Sequence, residues 1–146
     1  MSAPASDAEL RRAVGNLELV RAQIENLGRQ EELLRITLEE ISRARETLVR
    51  AKDSGDGADL LMPIGSNSFV FGALRDPRRV IVGIGSDVAI ELETDDAIAR
   101  LEARVKAIEE AERGLAARMQ ELSIAEEESG AKVQELYAKA QGGAPR

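Results

Sequence analysis

The sequence predicts a mostly helical α+β fold: a long antiparallel coiled-coil hairpin with two β-hairpins at its base. Three observations predict it. Two heptad-patterned stretches of similar length, 6–53 and 94–141, flank the middle of the chain. Between them, residues 60–93 turn β-branched and are punctuated by glycine, proline and asparagine. Aromatic residues are only 2 % of the 146, too few for a large globular core.

The first stem opens with Ser6 and, three residues on, Glu9, the spacing of a capping box. Its seam runs Leu10, Ala13, Leu17, Val20, Ile24, Leu27, Glu31, Leu34, Leu38, Ile41, Arg45, Leu48. Only Glu31 and Arg45 break the apolar stripe, and such polar seam positions fix register or snorkel to water. Arg43, Arg45, Arg50 and Lys52 gather toward the C-terminal end, where the helix dipole favours cations. "DSGDG" at 53–57 then ends the helix.

The second stem starts at Thr94, read as an N-cap, with Asp95 and Asp96 in the first turn. Its seam runs Ile98, Leu101, Val105, Ile108, Glu112, Leu115, Met119, Leu122, Glu126, Ser129, Val133, Leu136, Ala140, and "GGAP" at 142–145 closes it. Each stem is roughly 70 Å long at 1.5 Å per residue. Folded back on one another, the stems pair positions whose numbers add to about 146, placing Leu48 near Ile98 and Leu10 near Leu136. Two helices bury one stripe each, so further stability must come from the middle segment or from partners.

The middle reads as four strands, 60–64, 68–75, 79–84 and 88–93, with turns at "GSNS" and "GSD" and a "DPRR" link. The last strand alternates, Val88, Ile90 and Leu92 against Ala89, Glu91 and Glu93. The second and third are apolar on both faces: Phe69, Val70 and Phe71, then Val80, Ile81 and Val82. Lone hairpins are marginal in water, so these surfaces and open edges imply pairing with copies or relatives of the chain. The residues expected to carry that assembly are Met62, Ile64, Phe69, Val70, Phe71, Val80, Ile81, Val82, Ile84, Val88 and Ile90.

"RVIVGIGSDVAIELE" at 79–93 carries two glycines two apart, like the start of a phosphate-cradling loop. A dinucleotide fingerprint needs a third glycine and a helix opening on the pyrophosphate. Here Gly83-Ile84-Gly85 leads through Ser86 and Asp87 into an alternating strand, and no Gly-Lys-Ser/Thr occurs anywhere. The segment is a turn. "DSGDGAD" at 53–59 resembles a calcium loop but offers Gly55, Gly57 and Ile64 where ligands belong. Arg75, Arg78 and Arg79 read as a solvated turn. The chain has no histidine and no cysteine, which removes the usual proton shuttle, thiol nucleophile and zinc ligands. No catalytic residue, cofactor or metal is expected. A net charge of −7 disfavours nucleic acid, and no apolar run suits a membrane span, so a soluble cytoplasmic protein is the expectation.

The whole pattern resembles the alpha-type subunits of the archaeal prefoldin cochaperone family. The resemblance is most specific over "LMPIGSNSFVFGALRDPRRVIVGIGSDVAIE", 61–91, through Leu61, Met62, Pro63, Ser66, Gly72, Leu74, Asp76, Val80, Val82, Ile84, Gly85 and Glu91. It departs where Asp87 replaces a usual glycine and where Val88 and Ala89 replace aromatics. Aspartate tolerates the left-handed conformation better than most residues, so the turn is expected to survive. The resemblance implies that two alpha subunits join four beta subunits, their hairpins forming an intersubunit β-barrel. It also implies that the coil tips hold unfolded client proteins and deliver them to a group II chaperonin without ATP hydrolysis by the subunit.

At the terminal end of the coil, Glu126 and Ser129 interrupt the seam, and Gly15 and Gly130 fall at one height. Each glycine costs about 1 kcal/mol relative to alanine within a helix. Slight splaying there would present Leu10, Val14, Leu17, Val133, Leu136 and Tyr137 to a client. The alternative is a coiled-coil scaffold or assembly factor without general client binding.

Overall fold

The structure, a computed structural model, describes the backbone of residues 3–142 and the side chains from residue 7 onward. Its elements are α1 (Ala3–Ser54), β1 (Asp59–Gly65), β2 (Ser68–Ala73), β3 (Arg79–Gly85), β4 (Val88–Glu93) and α2 (Thr94–Gly142). α1 is already helical at Ala3, so Ser6 lies within the helix rather than capping it. The expected stop at "GGAP" extends into residues outside those described.

These elements form two compact units, one made by 3–34 with 110–142 and the other by Arg35–Glu109. In the first, the terminal coil unit, the seam side chains Ala13, Leu17, Leu122 and Leu136 are buried. The helices run antiparallel there, with Arg21 Nε donating to Glu126 Oε1 at 3.0 Å. Glu126 therefore sits in the seam as one half of a cross-helix ion pair. Glu112 is half-buried, whereas Glu31 faces solvent.

The second unit carries the hairpins, and its helical segments bury Ile41, Ala97 and Leu101. Seam Arg45 keeps its charge by pairing with Glu102, Nε to Oε1 at 2.9 Å, and Lys52 pairs with Asp95. Both pairs, 45 with 102 and 52 with 95, have numbers adding to 147, one away from the register expected from seam spacing. α1 stops where Gly55 takes φ +78°, its N–H still reaching Ala51 O, and Gly57 follows at φ +75°.

The two hairpins share one design. Each closes through a two-residue turn with both central residues at positive φ: Ser66 and Asn67 at 49° and 55°, Ser86 and Asp87 at 50° and 59°. This primed geometry matches the twist of the flanking strands. The register slips by one residue just before each turn, at Pro63/Gly65 and Gly83/Gly85. Gly65 and Gly85, at φ 102° and 107°, absorb the slip in a region side chains rarely enter. Gly85 is thus a turn glycine that leads into β4, which settles the reading of "GIG". Asp87 does adopt the left-handed conformation.

Candidate functional site

Cross-strand register sorts each hairpin into two faces. In β1–β2, Leu60 opposes Gly72 and Met62 opposes Val70, while Leu61 opposes Phe71 and Pro63 opposes Phe69 on the other face. Gly72 lets the first face close: an added Cβ would stand 2.8 Å from Met62 Cε and 3.3 Å from Leu60 Cδ1. The second face is open, with Phe71 91 % exposed, Leu61 57 % and Phe69 56 %. In β3–β4, Val80 opposes Leu92 and Val82 opposes Ile90, all half-buried, while Ile81 on the reverse face is 76 % exposed.

Of the residues expected to carry assembly, Met62, Ile64, Phe69, Val70, Phe71, Ile81, Ile84 and Val88 are exposed, and Val80, Val82 and Ile90 are half-buried. Leu61 belongs with them and was missed, although its alternation with Pro63 opposite Phe69 and Phe71 carried the signal. The two hairpins form separate two-stranded sheets, so each leaves unpaired edges. Among the described residues no large side chain is fully buried. A chain with that much apolar sheet and so little core gains most from covering the sheet with another chain.

The link between the hairpins is pinned rather than loosely solvated. Asp76 accepts the Arg78 N–H at 3.0 Å and Arg79 Nε–H at 2.9 Å, and Arg79 also reaches Glu91 of β4 at 3.3 Å. The Arg78 N–H foremost, then Arg79, holds the Asp76 carboxyl below its ordinary value. Arg78 and Arg79 are both exposed and both pair with Asp76, Arg79 at 2.9 Å and Arg78 at 3.7 Å. Thr94 does more than a cap: its buried hydroxyl donates to Pro77 O at 2.6 Å, and its N–H donates to Arg78 O at 2.8 Å.

In the terminal coil unit, Leu17 and Leu136 are buried in the seam, Leu10 and Val133 are half-buried, and Val14 and Tyr137 are exposed. Val14 follows seam residue Ala13 and Tyr137 follows seam residue Leu136. On antiparallel helices, one step past a seam position points to the same flank on both. A polar groove of the same unit is lined by Glu9, Arg12, Asn16, Glu128, Ser129 and Lys132 with Ala13 and Leu136, and neither Val14 nor Tyr137 lines it. Leu19 and Ile124 are further exposed apolar residues of this unit that the seam pattern did not single out.

Among the described residues, interior helix glycines occur only in this unit: Gly15, Gly28, Gly114 and Gly130. At each, an added Cβ would meet nothing within 4 Å, so packing does not require glycine. Their effect is on the helix itself, which they soften.

A family model described as "Prefoldin subunit" matches residues 20–139. "Prefoldin subunit alpha" of Pyrococcus horikoshii is 35 % identical over 107 residues, 73 % of this chain and 72 % of that one. "Prefoldin subunit alpha" of Thermococcus onnurineus is 36 % identical over 99 residues, 67 % of each chain. A chain from the cryo-EM structure of filamentous PFD from Methanocaldococcus jannaschii is 26 % identical with a TM-score of 0.49, covering 90 % of this chain and 98 % of that one. Paired heptad helices joined by two bulged hairpins, together with the family model and the two alpha-subunit relatives, lead to one conclusion: the chain belongs to the prefoldin family of non-enzymatic cochaperone subunits.

Proposed function

We propose that this chain assembles through its hairpin faces with prefoldin beta subunits, two copies with four, closing an intersubunit β-barrel. Its terminal coil captures unfolded proteins, prevents their aggregation and passes them to a group II chaperonin without hydrolysing ATP. The capture surface comprises Leu10, Val14, Leu17, Val133, Leu136 and Tyr137. One observation supports this reading above others: an exposed apolar flank, Val14 with Tyr137, lies in the unit whose helices alone carry interior glycines. Val14 and Tyr137 meet a client first, and Leu17 and Leu136 follow when the softened helices part. Each contact is weak, and several coils on one platform gain affinity by acting together.

The test is the double variant Val14→Ser/Tyr137→Ser. Both side chains are exposed, so assembly should survive with little change in stability. Suppression of aggregation of a chemically unfolded protein should weaken several-fold. Undiminished suppression with intact assembly would remove these residues from the capture surface.

A further inference from the structure

We propose that Thr94 and Asp76 are positioning residues that hold the β1–β2 hairpin at a fixed angle to the rest of the hairpin unit. This rests on the reading of the hairpin faces as the assembly surface. No ladder joins the two hairpins, which form separate sheets. Both border the end of α1, where Leu48 and Ala51 share a cavity with Leu60 and Val80, and they are joined by the short connection after β2, which is tied down at Leu74, Asp76, Pro77 and Arg78.

At its start, the β1–β2 ladder is extended by Leu74 N–H to Ala58 O at 2.8 Å and Gly57 N–H to Leu74 O at 2.7 Å. Next, Asp76 gathers the Arg78 N–H and the Arg79 side chain, and Arg79 links onward to Glu91 of β4. Finally, the carbonyls of Pro77 and Arg78 each accept a hydrogen bond from Thr94, at the first residue of α2. Pro77 is buried and Thr94 is 3 % exposed, so water cannot replace these bonds at little cost. A threonine hydroxyl has one proton to donate, and here it goes to a residue 17 positions earlier. The chain thereby clamps the exit of one hairpin to the start of the helix that follows the other. An assembly built from rigid faces needs both hairpins of a subunit presented at once, and the clamp supplies that presentation.

The experiment uses the full chain, alone and co-produced with the beta-type subunit of its source. Thr94→Val keeps the shape and removes the donor; Thr94→Ser keeps the donor. In Thr94→Val, trypsin should cut after Arg78 and Arg79 about tenfold faster, the effect of one lost buried hydrogen bond on an opening equilibrium. Helical circular dichroism should be unchanged, co-purification with the second subunit should fall, and Thr94→Ser should restore both cleavage rate and assembly. Asp76→Ala, whose side chain lies nearer solvent, should reproduce the cleavage and assembly defects and carries the test if Thr94→Val loses its helices. Parental cleavage and assembly in Thr94→Val, or failure of Thr94→Ser to rescue, would overturn the proposal. Phe71→Ser separates the two levels: if it assembles like the parent, the hairpin-face reading fails, whereas the clamp is judged by the cleavage rates.

Discussion

Phe71→Ala separates the energetics of the chain from those of its complex. In the chain alone, Phe71 is 91 % exposed, and its nearest cross-strand neighbour is Leu61, so truncation removes one cross-strand pair. Such a pair is worth about 0.2–1 kcal/mol. Covering the ring in an assembly is worth about 1.5–3 kcal/mol, which corresponds to roughly 10- to 150-fold in a dissociation constant. Urea unfolding of the isolated chain should therefore shift little, while sedimentation or native mass measurements across a dilution series should show subunits separating at much higher concentration. Equal losses in chain and complex would mean that Phe71 packs within its own subunit. An unchanged complex would mean that this face stays open after assembly, and the argument from exposed area would fail.

Two further outcomes follow from the same geometry. Gly15→Ala with Gly130→Ala adds methyl groups into open space, so each should stabilise its helix by about 1 kcal/mol, raise the thermal midpoint and reduce client capture; a lower midpoint would contradict the assignment of these glycines to softness. The Asp76 carboxyl is held below its ordinary value by the Arg78 N–H and Arg79, so its support is complete above the unfolded carboxylate value and lost as pH falls through the lowered folded one. The Arg78 amide resonance should titrate with a midpoint below that of an ordinary aspartate, and a midpoint at or above it would contradict the hydrogen bond.

The element types were legible because hydrophobic period changes sharply along the chain, from heptads to alternation and back. Gly65 and Gly85 marked the turns because nothing else accommodates their φ so readily. The helix start was displaced because Ala3, Pro4 and Ala5 permit a first turn that the cap signal at Ser6 obscured. Thr94 marked the start of α2 correctly, but its second role was not legible: its hydroxyl proton goes to Pro77, a partner that only the folded chain supplies. Arg45 and Glu126 likewise find Glu102 and Arg21 across the coil, partners that depend on helix register. On the capture surface, seam spacing already set Leu10, Leu17, Val133 and Leu136 apart from Val14 and Tyr137, but not how deeply each is buried. Burial of Leu17 and Leu136 against exposure of Val14 and Tyr137 follows from the antiparallel partner, not from either helix alone.

The most direct test of the central claim is the native mass and composition of the complex that this chain forms in its own cells. Two copies bound to four copies of a beta-type prefoldin subunit are predicted. A stable monomer, a homodimer, or a single copy attached to a folded protein would contradict the account.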